Sequence, residues 1–105
     1  MFNTFSLLVL TTWLFLAATA DCEKFIAAAS KFGTIDLLIL NAGISMGSYF
    51  EDVRDAQVFR ELMNVNYLGC VYCLQAAMPL LKKSDSGRVA VVSSVAGKSG
   101  PPTRT

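Results

Sequence analysis

Two short, almost continuous apolar runs separated by a long helical pattern constrain the fold of this chain most. The runs lie at residues 35–40 (I-D-L-L-I-L) and 88–93 (R-V-A-V-V-S). Runs of this length are typical of strands covered on both faces, as in parallel sheets. From about residue 56 to 81, apolar residues recur every three or four positions, which predicts one amphipathic helix. Strand, helix and strand form a βαβ unit, so we expect an α/β fold with parallel strands and a right-handed crossover.

The predicted long helix carries one polar residue within its apolar stripe. That residue is Asn66, and the apolar members of the stripe are Phe59, Leu62, Met63, Cys70, Cys73, Leu74, Ala77 and Leu81. Gly69 lies beside it, where a glycine costs about 1 kcal/mol relative to alanine in a helix interior. We therefore expect another element to pack closely at Gly69. A second face, which includes Val65 and Tyr72, is either ordinary core or a contact with a partner.

Small polar residues follow both predicted strands. Asn41, Ala42 and Gly43 come directly after the first strand, and Ser93 and Ser94 follow the second. Because the two strands are expected to be parallel, both exits lie at the same edge of the sheet. Open α/β sheets bind their ligands at this carboxyl edge. The sequence therefore places a candidate functional site there.

The first twenty residues contain no charge, and residues 5–20 are largely apolar. With the small residues Ala18-Thr19-Ala20 at its end, this stretch is expected to be an apolar helix, either a secretory signal or a membrane anchor, although it lacks a basic start. The predicted division is thus 1–20 and 21–105. A genuine leader implies the secretory pathway or the endoplasmic reticulum membrane, and otherwise the cytoplasm. A further helix over residues 22–32 is expected to end at Gly33.

The remaining composition excludes several classes of function. A formal net charge of +1 provides no basic surface for nucleic acid. The absence of histidine rules out Ser-His triads and His-ligated zinc, and no metal site is predicted. Cys70 and Cys73 match a C-x-x-C pattern, but they fall inside a helix, away from the helix N-terminus that activates redox thiols. We interpret them as buried structural cysteines.

Three segments, in order, resemble the short-chain dehydrogenase/reductase family: I-D-L-L-I-L-N-A-G, M-N-V-N-Y-L-G and V-V-S-S-V-A-G-K-S-G. The resemblance covers about residues 21–105, and the wording around Ser94 is similar to the branch with hydroxysteroid dehydrogenases and membrane-associated reductases. It implies part of a Rossmann fold, a doubly wound parallel sheet. It also implies hydride transfer between an alcohol or carbonyl substrate and NAD or NADP.

The resemblance assigns roles to particular residues. Asn41, Ala42 and Gly43 match a turn whose backbone lines the cofactor pocket, with Leu40 in place of the family's preceding asparagine. Asn66 matches a helix asparagine that holds a water of the proton relay, although it also fits a buried amide that only bonds its surroundings. Ser94 matches the serine that hydrogen-bonds the substrate oxygen.

Other parts of the family's site have no counterpart in these residues. The family's Tyr-x-x-x-Lys pair is expected after Ser94, and none of the tyrosines precedes a lysine by four. The glycine-rich turn that binds pyrophosphate is also missing. We therefore expect a fragment that lacks both ends, whose two strands each lack an outer neighbour and which binds no cofactor. Two alternatives are a non-catalytic fragment that binds a second copy or a full-length relative through helix 56–81, and a small secreted protein or one that contacts a membrane through residues 5–20.

Overall fold

The computed structural model describes residues 7–10 and 19–103, and between residues 19 and 91 the main helices and strands follow the predicted order. The strands are β1 (Leu7–Leu10), β2 (Leu37–Leu40) and β3 (Arg88–Val91), and the α-helices are α1 (Thr19–Ala29), α2 (Gln57–Met63), α3 (Gly69–Lys83) and α4 (Ala96–Ser99). Short 3₁₀ helices cover Ser30–Phe32 and Phe50–Asp52, and a π-helical segment, Asn64–Leu68, joins α2 to α3. The predicted α/β class is confirmed.

The sheet has three parallel strands in the order β1-β2-β3. Leu37 pairs with Arg88 and Leu40 with Val91, so the predicted parallel pairing of the two apolar runs is confirmed. The expectation that both strands lack an outer neighbour is wrong for β2, because β1 pairs along its other edge. In the described part of the chain, β3 pairs with β2 alone.

The apolar N-terminal helix is not confirmed. Leu7–Leu10 is a strand, because the open edge of β2 offers backbone groups that a short apolar segment can pair with. Helix α1 begins at Thr19, so the proposed cleavage motif overlaps the first residues of that helix. Residues 1–6 and 11–18 of the expected leader lie outside the described residues. Among the helices described, none is long and apolar enough to cross a membrane.

The core lies between α1, α3 and the helix-facing side of β2. Its buried members are Cys22, Ile26, Ala29, Ile35, Leu38, Leu40, Cys73, Ala77, Leu80 and Leu81. Gly69 is also buried, and its carbonyl oxygen is 3.7 Å from the sulfur of Cys22 on α1. The expectation that an element packs closely at Gly69 is confirmed, and that element is α1.

The long helix runs from Gln57 to Lys83 as predicted, but its buried stripe differs from the predicted one. Five buried positions recur every fourth residue: Val65, Gly69, Cys73, Ala77 and Leu81. Leu80 is buried beside the last of them. The wider turn of the π-helical segment Asn64–Leu68 rotates the first half of the helix relative to the second. Val65 consequently turns into the core, and Asn66 is exposed where a position on the core stripe was predicted.

Strand β3 was predicted to be buried, and all four of its residues are exposed. Val89 and Val91 lie opposite Leu38 and Leu40, which places them on the side of the sheet that the helices occupy. They are nevertheless 42% and 63% exposed. Helices α1 and α3 pack over β2, so no described element covers β3.

The turns around the long helix hold it to the sheet. At its start, the Asp55 carboxylate accepts a 2.9 Å hydrogen bond from the backbone N–H of Gln57. At its end, the Ser84 hydroxyl donates to the Asp36 carboxylate. The backbone N–H of Arg88 donates to the carbonyl of Asp36 over 2.9 Å, which aligns the start of β3 with β2.

Candidate functional site

The candidate site lies at the carboxyl edge of β2 and β3. The chain leaves β2 at Asn41, and the backbone N–H of Val92, just beyond β3, donates to the carbonyl of Leu40 over 2.9 Å. The two strands therefore end level with each other, and the segments after them leave the sheet side by side. This is the edge at which the sequence placed the site.

Asn66 fixes the path of the chain after β2. Its side-chain oxygen Oδ1 accepts a hydrogen bond from the backbone N–H of Ile44, and its Nδ2 donates to the carbonyl oxygen of Ile44, both over 2.8 Å. A Cβ atom on Gly43 would lie 3.4 Å from Oδ1, which is van der Waals contact and places the turn directly beside the amide. The Asn66 amide thus bonds both the N–H and the carbonyl of one loop residue, and its role is to position the loop.

The π-helical segment explains how this side chain reaches the loop. In a regular helix Asn66 would fall on the predicted core stripe, whereas the wider turn directs it toward the carboxyl edge of β2. The thiol of Cys70 donates to the carbonyl oxygen of Asn66 over 3.4 Å. π-helical turns are frequent at functional sites, and this one presents the asparagine that the family resemblance selected.

Ser94 follows β3 and begins a short helix that the sequence did not predict. Its Oγ accepts a 3.1 Å hydrogen bond from the backbone N–H of Ala96, and its carbonyl accepts one from Gly97 over 3.2 Å. Ser94 and Asn66 line one cleft of about 600 Å³. The full lining is Ile44, Ser45, Met46, Leu62, Asn66, Ser94 and Ala96. The structure therefore brings together the two side chains that the sequence singled out.

Asn41 and Ala42 lie below this cleft. Together with the end of β2 and the helix, they surround a void of only about 10 Å³, whose other lining residues are Leu40, Val65, Gly69, Cys70 and Cys73. A space of this size holds a single water at most. Asn41 and Ala42 are therefore packed close to the helix.

The residues present fit one part of a dinucleotide site and not the other. The Asn41–Gly43 turn, Asn66 and Ser94 meet at one edge, as the resemblance requires. A pyrophosphate needs a glycine-rich turn after the strand beside β2, so that backbone N–H groups can approach it. That strand is β1, and the first glycine of the sequence is Gly33, beyond α1. For metals, no group of three ligating side chains occurs among the described residues.

The contact between Cys22 and Cys73 was not predicted from the sequence. The thiol of Cys73 donates to the sulfur of Cys22 over 2.8 Å, across the α1–α3 contact. The C-x-x-C partner Cys70 is directed instead to the Asn66 carbonyl. Burial raises the pKa of the Cys73 thiol and, to a smaller extent, those of Cys22 and Cys70. Buried thiols with raised pKa agree with the structural role expected for Cys70 and Cys73.

Comparison with known proteins supports the family resemblance. A family model described as short chain dehydrogenase matches residues 9–105. The 11-beta-hydroxysteroid dehydrogenase-like 4A of Arabidopsis thaliana is 40% identical over 83 residues, which are 78% of this chain and 27% of that protein. The 3-ketodihydrosphingosine reductase of Bos taurus is 42% identical over 73 residues, or 70% of this chain and 22% of that protein. The chain thus spans about a quarter of the length of these curated relatives.

Solved structures agree with the sequence matches. The Pseudomonas aeruginosa RhlG/NADP active-site complex superposes with a TM-score of 0.77 at 28% identity, over 85% of this chain and 36% of that one. The NADH-dependent reductase A1-R' complexed with NAD gives a TM-score of 0.75 at 26% identity, over 84% and 39% of the two chains. The α/β architecture described above is therefore shared with proteins that bind nicotinamide dinucleotides.

Proposed function

Because the chain belongs to the short-chain dehydrogenase family, we propose that its cleft contributes to an NAD(P)-dependent site that transfers a hydride between an alcohol and a carbonyl compound. The relatives named above are a dehydrogenase-like protein and a reductase, and the two solved structures hold NADP or NAD. Since the chain spans about a quarter of the relatives' length, the proposed activity concerns the complete site, to which these residues contribute one part.

The shared cleft of Asn66 and Ser94 is the observation that carries this proposal. The Ser94 hydroxyl lies at the end of β3, where it can hydrogen-bond the oxygen of a substrate held in the cleft. Asn66 holds the loop at Ile44 and so sets the width of the same cleft. The dinucleotide, when bound, supplies or accepts the hydride, and the turn of Asn41, Ala42 and Gly43 lines its pocket.

The lining of the cleft favours an apolar substrate with one polar oxygen. Ile44, Met46 and Leu62 contribute apolar side chains around the polar groups of Ser94 and Asn66. Sites of this kind gain affinity from apolar contact and orientation from a few polar groups. We therefore propose a largely apolar alcohol or ketone as the substrate class.

The test begins with the transcript. We expect the full-length message to encode, besides these residues, a Tyr-x-x-x-Lys sequence after Ser94 and a glycine-rich turn before β2, and the longer product to oxidise NADPH or NADH with an apolar ketone. In that product, Ser94→Ala is expected to lower kcat by about 100-fold or more, because a donor to the developing charge is lost. Ser86→Ala, in an exposed turn, is the control and should leave kcat unchanged. A stop codon after Thr105, or a longer product without turnover, contradicts the proposal.

A second candidate function is association with another copy or a full-length relative through the first half of the long helix. Met63 and Tyr67 are one helical turn apart and are 55% and 57% exposed. Phe50 is 71% exposed, and its ring centroid is 5.9 Å from that of Phe59. Large exposed apolar side chains in one region are typical of contact surfaces. Val65, for which the sequence left core and partner contact open, is buried and does not belong to this surface.

Co-purification with a tagged full-length relative tests this second candidate. The double substitution Met63→Glu with Tyr67→Glu should abolish co-purification, because burying two carboxylates in an apolar contact is costly. Gln75→Glu adds a carboxylate at an exposed position of α3 and should have no effect. Equal recovery of the double variant and the unsubstituted chain excludes this surface.

A further inference from the structure

Two cysteines that are far apart in the sequence meet at the contact between α1 and α3. Cys22 and Cys73 are separated by 51 positions, and their sulfur atoms are 2.8 Å apart. Their exposed fractions are 0% and 1%. The third cysteine, Cys70, lies one turn from Cys73 on α3, and its thiol donates to the Asn66 carbonyl. Cys70 therefore serves as an internal control for the reactivity of the pair.

The close approach has a structural cause in the small residues of α3. Gly69, Cys73 and Ala77 follow one another at intervals of four and are all buried. Without a side chain at Gly69, the sulfur of Cys22 comes within 3.7 Å of its carbonyl oxygen. From α1, Ile26 and Ala29 fill the space beside the same stripe. Small side chains let two helix backbones come close, and this brings the two sulfurs together.

We propose that Cys22 and Cys73 form a redox-sensitive pair, which hydrogen peroxide converts into a disulfide that fastens α1 to α3. The S–S bond of a disulfide is about 2.0 Å, so the sulfurs need to approach by only about 0.8 Å from their 2.8 Å separation. Hydrogen peroxide is small and uncharged, which suits an oxidant for a buried site.

The chemistry balances with one peroxide molecule. Burial raises the pKa of both thiols, and the hydrogen bond that Cys73 donates offsets part of this rise for Cys22 alone, so Cys22 is the attacking sulfur once it has lost its proton. Its attack on a peroxide oxygen breaks the O–O bond and leaves Cys22 as a sulfenic acid, with hydroxide released. The sulfur of Cys73 then displaces the hydroxyl group from Cys22, and the proton lost from Cys73 completes a water molecule. In sum, two thiols and one hydrogen peroxide yield one disulfide and two waters.

The position of the pair links the bond to the candidate site. Helix α3 begins at Gly69, directly after the π-helical segment that carries Asn66. A covalent bond at Cys73 restrains the start of α3 against α1, and with it the segment from which Asn66 holds Ile44. Oxidation is therefore expected to reduce the mobility of this side of the cleft.

The experiment uses the whole chain, treated with hydrogen peroxide and analysed by mass spectrometry and non-reducing peptide mapping. We expect two of the three thiols to be lost, the mass to fall by two hydrogens, and a linked peptide to join Cys22 to Cys73. Cys70→Ala should give the same product. Cys22→Ala and Cys73→Ala should give no intramolecular bond, with far-ultraviolet circular dichroism used to check that each is folded.

The Cys70→Ala variant keeps the test decisive if either of the other variants fails to fold, because it contains only the two cysteines of the pair. Its oxidised form is expected to melt on the order of 10 °C above its reduced form, since the bond restricts the unfolded chain. Dithiothreitol should reverse the shift. In the unsubstituted chain, a disulfide that includes Cys70 or a sulfinic acid as the main product overturns the proposal. In Cys70→Ala, an unchanged melting temperature after oxidation does the same.

Discussion

The side-chain amide of Asn66 hydrogen-bonds the backbone of the loop after β2, as a neighbouring strand would inside a sheet. Within a sheet, backbone N–H and C=O groups pair with another strand, and beyond Leu40 that pairing ends. The amide carries a donor and an acceptor in fixed geometry, and it satisfies both groups of Ile44 at 2.8 Å. A single side chain therefore determines the conformation of the segment that forms one wall of the cleft.

Replacing this side chain tests its contribution. Asn66→Ala removes two hydrogen bonds at an exposed position, so we expect a loss of about 1–2 kcal/mol in the free energy of unfolding, measured by urea denaturation. Asn66→Asp keeps the acceptor for the Ile44 N–H and places a carboxylate against the Ile44 carbonyl, so it should not restore stability. Asn64→Ala, in the same π-helical segment, is the control. Equal losses for Asn64→Ala and Asn66→Ala contradict the role given to Asn66.

Gly87 provides a second prediction for a single residue. A Cβ atom at this position would clash with the carbonyl oxygen of Leu81, which is backbone and cannot turn aside. We therefore expect Gly87→Ala to destabilise the fold by about 1–3 kcal/mol in thermal or urea unfolding. Gly47→Ala is the matched control, because nothing lies within 4 Å of a Cβ atom there. A Gly87→Ala protein as stable as the Gly47→Ala protein shows that the turn adapts.

Among the elements, the pair of helices α1 and α3 is held by small apolar residues and two thiols. Cys22 and Cys73 are buried in this contact, and their burial opposes ionisation. The contact is thus sensitive to pH in a range where an aliphatic contact is not.

The sign of this dependence follows from the raised pKa values. Thiols of the unfolded chain lose their protons above their ordinary pKa of 9.0, whereas the buried thiols keep theirs. The unfolded state then binds fewer protons, so stability is fully present below about pH 9 and falls as the pH rises, by up to about 1.4 kcal/mol per unit for each thiol. Urea unfolding with reductant at pH 8 and pH 10 measures this, and Cys73→Ala should lose less stability between them. An equal loss in Cys73→Ala contradicts the assignment.

At the scale of the whole molecule, the strand order places β2 inside the sheet and leaves β1 and β3 at its edges. β1 pairs with β2, while Val89, Val91, Val92 and Val95 remain exposed on and after β3. Exposed strands with apolar side chains pair readily with other chains. The solubility of this protein therefore depends on which strand edges are covered.

Deletion of the N-terminal segment tests the part played by β1. Removing residues 1–18 exposes the edge of Leu37–Leu40, so we expect lower solubility and earlier aggregation, measured by light scattering during heating. Removing residues 1–6 alone retains β1 and is the control. If both shortened chains match the full chain, the segment behaves as the removable leader that its composition indicated.

Cofactor binding is also a property of the whole molecule. We predict that the 105-residue chain gives no saturable change in NADPH or NADH fluorescence, because no glycine-rich turn follows β1. The NADH-dependent reductase A1-R', whose structure was solved with NAD, is the positive control. Saturable binding by the 105 residues shows that the carboxyl edge of β2 and β3 suffices for affinity.

The sequence by itself determined the order of the elements, the parallel pairing of β2 with β3, and the edge that carries the site. These features follow from apolar periodicity and from the rule that parallel strands end at one edge, both of which are local or generic. The meeting of Asn66 with Ser94 followed from the same rules together with the family resemblance. Their roles in catalysis stay predictions.

Tertiary structure alone decided how separate surfaces meet. The π-helical turn places Val65 in the core and Asn66 outside it. The sequence did not predict this, because a pattern of apolar residues does not reveal the local width of a helical turn. The pairing of β1, the exposure of β3 and the contact of Cys22 with Cys73 each depend on which elements lie side by side. Periodicity identifies the faces of one element, whereas packing between elements depends on the shapes of both partners, which a single sequence pattern does not contain.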